Sequence, residues 1–315
     1  MRSCLFVCVG SVVIVAPSCF AQDAFANAAR QRSENISAPA APGSKTNAYG
    51  TALPDDVTDD DREADADLGQ QWVLRRNERV LRCNIFADVS AFETTNVALA
   101  HADEHADTFL VASLSANYVR PIFGSAVLNL AIAESSFRYD RYTAFDFDSF
   151  SAAVGLSVPV KQLWNAQLAI QSSFTRLTRD FVSSQLFSGE TFAVSLSKSI
   201  QLTTADSVAF GIAGAFNLAE PSSLERGDLS LFGGYNLALT RRLSTSINYR
   251  ASLFAYPNTS RIDVNQTLAA SLRFEINRWF SIGLSTSAVL NNSSVAVFDY
   301  SAVTFGGGLT GNIQF

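Results

Sequence analysis

From residue 84 to the last residue given, apolar and polar side chains alternate with a period of two in one segment after another. In the last segment, most odd-numbered positions from 303 carry Val, Phe, Leu or Ile, whereas even-numbered positions carry Thr, Gly, Asn or Gln. Successive side chains of a β-strand point to opposite faces, so this alternation predicts strands with one apolar and one polar face. About twelve segments show it, namely residues 84–93, 108–118, 123–134, 148–158, 165–175, 190–199, 207–218, 227–239, 243–254, 264–276, 281–290 and 299–315.

The connections between the segments alternate in length. Short ones contain residues 120–121, 159–163, 201–205, 241–242 and 277–278, and longer ones span about 94–107, 135–147, 176–189, 219–226, 255–263 and 291–298. Tight turns at one rim and longer loops at the other are typical of a membrane-spanning barrel whose termini lie at the short-turn rim. The predicted fold for residues 84–315 is therefore all-β, a transmembrane antiparallel up-and-down β-barrel of about 12 strands, within a range of about 10–14.

A soluble β-sandwich would also show alternation, but its polar face would carry Lys, Glu and Thr toward water. The polar faces in this chain carry mostly Ser, Asn, Gln and small residues, and Lys occurs at only a few positions such as Lys161 and Lys198. An apolar outer face in contact with lipid explains this composition better. No apolar run after residue 84 approaches the roughly 20 residues that a membrane-spanning helix needs.

Residues 1–21 have the pattern of a secretory signal peptide. A basic residue follows the first Met, Leu5–Ala16 forms an apolar core, and small residues at Cys19 and Ala21 suit cleavage after Ala21. A lipoprotein anchor on Cys19 is the less favoured alternative, because residues 16–18 are a poor approach to such a site. We expect the mature chain to leave the cytoplasm.

Residues 22–69 are rich in Ala, Pro, Ser, Asn and Asp and have little apolar periodicity. Such a composition buries too little apolar surface to offset chain entropy, which predicts a disordered periplasmic tail. Between Asp55 and Asp67 the tail carries seven Asp and one Glu against one Arg. A solvated acidic linker explains this run better than a calcium loop, because the Gly and Glu that an EF-hand requires are missing from their positions.

Residues 70–83 form a short basic segment, in which Trp72–Arg82 is compatible with an amphipathic helix. This helix could plug the barrel, dock on a partner or lie on a membrane surface, or the segment could be frayed, and the sequence leaves these alternatives open. Residues 22–82 as a whole could recruit a periplasmic partner.

Charge and cysteine content exclude two classes of protein. The formal net charge of -6 and the pI near 5.0 argue against binding to nucleic acid. Three of the four cysteines lie in the predicted leader, so its removal leaves Cys83 without a partner for an intrachain disulfide.

A signal peptide, period-two strands and a C-terminal Phe together resemble the bacterial outer-membrane β-barrel superfamily, over about residues 84–315. In that superfamily, a terminal aromatic preceded by apolar residues at every second position resembles the signal read by the β-barrel assembly machinery. Phe315, Ile313, Leu309 and Phe305 match that signal. The resemblance implies an outer-membrane location among its lipids, with both termini in the periplasm, and it implies no individual family or substrate.

Motifs that suggest catalysis or a cofactor are weak. His101–His105 spells an inverted zinc-protease motif, but it lies in a predicted loop rather than on a helix, which that chemistry needs. Gly306, Gly308 and Gly311 spell a dinucleotide fingerprint, but a strand rather than the required helix surrounds them. We expect no catalytic, cofactor-binding or metal site, and an outer-membrane hydrolase is the less favoured alternative.

The bore of the predicted barrel is the remaining candidate site. Seven inward positions are predicted to line it, namely Asn129, Gln167, Gln171, Asn248, Arg250, Arg273 and Glu275. In a water-filled channel they would set ion or solute preference, whereas in a filled barrel they would pair with one another. We expect a narrow pore for small solutes or ions, and the alternative is a non-conducting structural or adhesive barrel.

Overall fold

A closed antiparallel barrel forms the main body of the protein. The computed structural model describes residues 26–34, 83–179 and 184–315. Each strand pairs with its neighbours in sequence, and the first strand pairs with the last, which confirms the predicted barrel. The strands are β1 (Cys83–Thr94), β2 (Asp107–Phe123), β3 (Ala126–Tyr139), β4 (Phe147–Val160), β5 (Ala166–Thr178), β6 (Gln185–Gln201), β7 (Asp206–Glu220), β8 (Arg226–Ala238), β9 (Leu243–Tyr256), β10 (Arg261–Glu275), β11 (Phe280–Ser293) and β12 (Tyr300–Gln314).

Side chains alternate between an apolar outer wall and a mainly polar interior. On β10, Ile262 and Leu268 are 52% and 50% exposed on the outside, whereas Asp263 and Asn265 are only 2% and 4% exposed on the inside. The apolar face of each predicted strand is therefore the face that a membrane would cover.

The ends of β1 and β12 close the barrel at the short-turn rim. The Cys83 amide donates to the Phe315 carbonyl at 3.3 Å, and the Phe315 amide donates to the Cys83 carbonyl at 2.9 Å. Cys83 thus belongs to β1 rather than to the basic segment predicted for residues 70–83, and residues 70–82 lie outside the described part of the chain. The predicted assembly signal lies on the outer face, where Phe305, Leu309, Ile313 and Phe315 are exposed.

Glycines let β12 approach β1 closely. A Cβ atom on Gly306 would overlap the Ala91 carbonyl oxygen and the Phe92 ring, and one on Gly308 would lie 2.5 Å from the Val89 carbonyl oxygen. The glycines at 306 and 308 lie within β12 and serve strand packing at the seam.

Several strands are longer at the long-loop end than the alternation predicted. β6 spans Gln185–Gln201 rather than 190–199, and β9 and β10 are joined by only the four residues 257–260. Alternation marks the part of a strand with one apolar face, whereas the backbone hydrogen bonds continue beyond it. The predicted loops are therefore partly strand.

Candidate functional site

A short helix, α1 (residues 26–34), occupies the bore at the long-loop end. Every residue of α1 except Glu34 is buried. In these nine residues the structure differs from the predicted disordered tail, and the rest of 22–69 lies outside the described residues. Within the described part of the chain, no helix is long and apolar enough to span a membrane.

One side of α1 packs on an aromatic cluster inside the barrel. Ala26 and Ala29 belong to a buried group with Phe109, Phe137 and Phe147. The rings of Phe137 and Phe147 stack with their centroids 4.3 Å apart. Small alanine side chains let the helix backbone approach these rings closely, so this half of the bore is a packed core.

The other side of α1 is bound through Arg30. Its Nη1 donates to the Leu224 carbonyl oxygen and its Nη2 to Asn217 Oδ1, both at 2.9 Å, and its Nε donates to Glu34 Oε1 at 2.7 Å. The guanidinium also lies 4.9 Å from the centroid of the Phe187 ring. A buried arginine with this many partners fixes the position of the helix relative to β7 and to the β7–β8 connection.

Glu34 completes a charge network with the wall. Arg226 Nη2 donates to Glu34 Oε2 at 2.8 Å, and Arg226 Nε donates to Asp228 Oδ1 at the same distance. Partial burial acts to raise the pKa of the Glu34 carboxyl, but the charges and hydrogen bonds of Arg226 and Arg30 outweigh it and hold the pKa at about 2. Glu34 is therefore ionised at neutral pH.

α1 also contacts the opposite part of the wall. Arg32 Nη2 donates to the carbonyl oxygens of Asn96 and Val97 at 2.8 and 3.2 Å. The hydroxyls of Ser33 and Ser149 lie 3.2 Å apart. These partners of Arg32 and Ser33 belong to the β1–β2 connection and to β4. The partners of Arg30 and Glu34 on the wall belong to β7, β8 and the connection between them. α1 therefore crosses the bore.

The half of the bore toward the short turns is lined by amide side chains. Among the described residues, several buried amide atoms there have no hydrogen-bond partner, including Asn84 Nδ2, Asn129 Oδ1, Asn236 Nδ2, Asn248 Oδ1 and Asn312 Oδ1. Leaving such groups unpaired is costly in a packed interior, whereas water or a polar solute satisfies them in a wet one. This lining favours a water-filled space between α1 and the short-turn rim.

The structure places the predicted pore residues at different heights in the bore. Asn129, Gln167, Gln171 and Asn248 lie on inward positions of β3, β5 and β9. Arg250 pairs across the strands with Thr267, whereas Arg273 pairs with Ser244, six positions nearer the short turns. Glu275 ends β10 and is exposed. The three charged residues therefore do not form one ring.

The residues of α1 were missed because they lie in a tail rich in Pro and Ser. The signal that could have found them is local: alanines at 26, 28 and 29 favour a helix, and Arg30 and Glu34 have the spacing of an ion pair on one helical face. A nine-residue helix with these features is marginal alone and needs the barrel around it.

The histidine motif does not form a metal cluster in the structure. The His105 ring stacks on the Tyr142 ring at 5.5 Å, and the His105 carbonyl oxygen accepts from the Val97 amide at 2.8 Å. In the described ranges, no group of three or more His, Cys, Asp or Glu side chains is placed to hold a metal ion. The expectation that the protein is not an enzyme stays a prediction.

The architecture is similar to that of a solved structure. An outer membrane channel from Pseudomonas putida F1 is 11% identical, with a TM-score of 0.51 over 75% of this chain and 96% of that one. The chain has the fold of a bacterial outer-membrane β-barrel. The translocator domain of the autotransporter NalP from Neisseria meningitidis is 10% identical, with a TM-score of 0.43 over 75% of this chain and 90% of that domain. No protein-family model matches the sequence, and curated proteins give no significant match.

Proposed function

We propose that this chain forms a narrow pore in the bacterial outer membrane that passes small polar solutes or ions and is held closed by α1. The observation that carries the proposal is the division of the bore into two halves. α1 crosses the half at the long loops, and amides with unpaired atoms line the half at the short turns. The short-turn rim, where β1 begins and β12 ends, would face the periplasm.

A non-conducting barrel is the alternative, and the aromatic cluster around Phe137 and Phe147 favours it. A packed interior of this kind can stabilise a barrel that never opens as well as it can hold a removable helix. In that case residues 22–82 would recruit a periplasmic partner instead of gating a pore.

Single-channel recording in a planar bilayer tests the proposal. The chain that begins at residue 22 is compared with the same chain lacking residues 26–34. We expect rare openings from the first and steady unit conductance steps from the second, because the contacts of α1 with the wall are lost. The barrel is closed by its own strand pairing, so the deletion should leave it folded.

A matched deletion of nine residues at 40–48, which leaves α1 in the chain, is the control and should remain closed. Silence from the variant without α1, in a sample whose heat-dependent gel shift shows a folded barrel, would contradict the pore and favour the scaffold.

A further inference from the structure

Three buried side chains form a row on the wall beside α1. Arg226 begins β8, Tyr256 ends β9 and Arg261 begins β10, and Tyr256 pairs directly with Arg261 across the strands. Their exposed fractions are 3%, 1% and 3%. All three lie at the long-loop end, on the side of the bore that Glu34 contacts.

This row presents hydrogen-bond donors that have no acceptor. Among the described residues, Arg226 Nη1, the Tyr256 hydroxyl and Arg261 Nη2 are buried without a hydrogen bond. Arg261 Nε lies 3.2 Å from Asp263 Oδ1 but makes no hydrogen bond with it. Buried donors without acceptors are rare in folded proteins, and several in one row indicate a place where an acceptor binds.

The two arginines of this row are held in place by aromatic rings. The Arg261 guanidinium lies 3.7 Å from the centroid of the Tyr256 ring and 3.9 Å from that of Phe298. Arg226 lies 4.1 Å from the centroid of the Phe254 ring. Planar guanidinium groups fixed in this way bind carboxylates well, because little side-chain entropy is lost on binding.

The charge of this part of the wall favours an anion over a cation. β8–β10 carry the positive charges of Arg226, Arg250 and Arg261 against the negative charges of Asp228 and Asp263, a net charge of +1. The remaining two charges of these strands, on Arg273 and Glu275, cancel each other near the short turns. The carboxylate of Glu34 accepts a hydrogen bond from Arg226 of this wall and another from Arg30 of its own helix.

We propose that Arg226, Tyr256 and Arg261 form a binding site for the carboxylate group of a small solute, and that Glu34 is a tethered carboxylate that occupies the Arg226 side of it. A solute carboxylate competes with Glu34 for Arg226 and gains the unpaired donors of Tyr256 and Arg261. Binding releases α1 from the wall. The link from release to opening rests on the proposed pore function, whereas the site itself does not.

Trypsin cleavage measures the release of α1 without recording a current. Arg30 and Arg32 are each 4% exposed, so the peptide bonds after them are protected while α1 is docked. The folded full chain in detergent is titrated with acetate, and products cut after these residues are quantified by mass spectrometry. Chloride at equal ionic strength and the neutral isostere acetamide are the comparisons.

We expect saturable acceleration by acetate of about tenfold, which corresponds to the loss of one charge-assisted hydrogen bond. Chloride and acetamide should give little acceleration. An equal effect of chloride would show general screening of charge, and the absence of any effect would show that no carboxylate competes with Glu34. Either result overturns the proposal.

Tyr256→Phe isolates the site from the contact with Glu34. The variant keeps the ring that stacks on Arg261 and removes only the unpaired hydroxyl. The acetate midpoint should rise about tenfold, because one hydrogen bond to a charged group is lost. Tyr142→Phe, in the β3–β4 connection outside the row, is the matched control and should leave the midpoint unchanged. An unaltered midpoint in Tyr256→Phe would contradict the assignment of this hydroxyl to the site.

Glu34→Gln separates competition from other effects of acetate. This variant should be cleaved about tenfold faster without acetate, and acetate should no longer accelerate it. If acetate accelerates cleavage but the variant without residues 26–34 conducts no current, the pore is contradicted and the carboxylate site is retained. If that variant conducts but acetate does not accelerate cleavage, the pore is retained and the carboxylate site is contradicted.

Discussion

At the scale of single residues, the carboxyl group of Glu34 joins α1 to the wall by charge. It lies 2.7 Å from Arg30 and 2.8 Å from Arg226, and both contacts need the ionised form. Burial alone would raise its pKa, and the two arginines lower it to about 2. A carboxyl whose pKa is lower when docked than the ordinary 4.5 stabilises the docked state above pH 4.5 and loses that contribution as the pH falls toward 2.

The docking of α1 should therefore weaken in acid. In bilayer recordings of the chain from residue 22, we expect openings to become more frequent as the pH falls from about 4.5 toward 2, with little change between pH 7 and 5. Glu34→Gln should open at neutral pH and lose most of this dependence, because its side chain does not titrate. Glu134→Gln, on the outer wall, is the control, and its opening frequency should depend on pH as in the unmodified chain. The same dependence on pH in Glu34→Gln would refute the role given to Glu34.

At the scale of secondary-structure elements, the seam between β1 and β12 depends on close backbone approach. Gly306 faces Ala91 and Phe92 with no room for a Cβ atom, so an added methyl group must displace the backbone of β1. Hydrogen bonds between Cys83 and Phe315 end the same seam at the short-turn rim. A change at Gly306 thus acts on the contact that closes the barrel.

Gly306→Ala should destabilise the barrel by roughly 1–3 kcal/mol, the usual cost of overpacking. The measurement is the temperature at which the folded band is lost in a heat-dependent gel shift, which should fall. Gly155→Ala is a matched control on an inward position of β4, where the nearest atom to the added Cβ lies 3.6 Å away. Equal melting of the two variants would show that the seam has room for a side chain.

At the scale of the whole molecule, the bore has a filled half and a polar half. Arg273 lies in the polar half, and among the described residues its Nε has no hydrogen-bond partner. Its charge is free to act on ions that pass, because no ion pair of the described residues includes it.

Arg273→Ala, introduced into the variant without α1, should shift ion selectivity toward cations. The change in permeability ratio should reach about fivefold at most, since a unit charge 4 Å away in water contributes roughly 1 kcal/mol. The reversal potential across a salt gradient measures it. Lys198→Ala, an outward basic residue of β6 that donates to the Trp164 carbonyl, should leave the potential unchanged. An unchanged potential in Arg273→Ala would place this residue outside the conducting path.

Alternation is a local property of each strand, so the amino-acid sequence alone predicts the strands of the barrel. The apolar positions of the segment at 264–276, for example, became the outward face of β10, and the closing strand ended where the period ended. The inward positions of Asn129, Gln171 and Arg250 followed from the same period.

What fills the bore depends on contacts between distant parts of the chain. Arg30 donates a hydrogen bond to Asn217, 187 positions away in the sequence, and Arg226 donates one to Glu34, 192 positions away. No local sequence pattern encodes such pairs. The composition of residues 22–69 predicted a chain unable to bury itself, whereas α1 is buried by partners from the barrel rather than by its own neighbours. The row of Arg226, Tyr256 and Arg261 likewise exists only because three strands bring its members side by side.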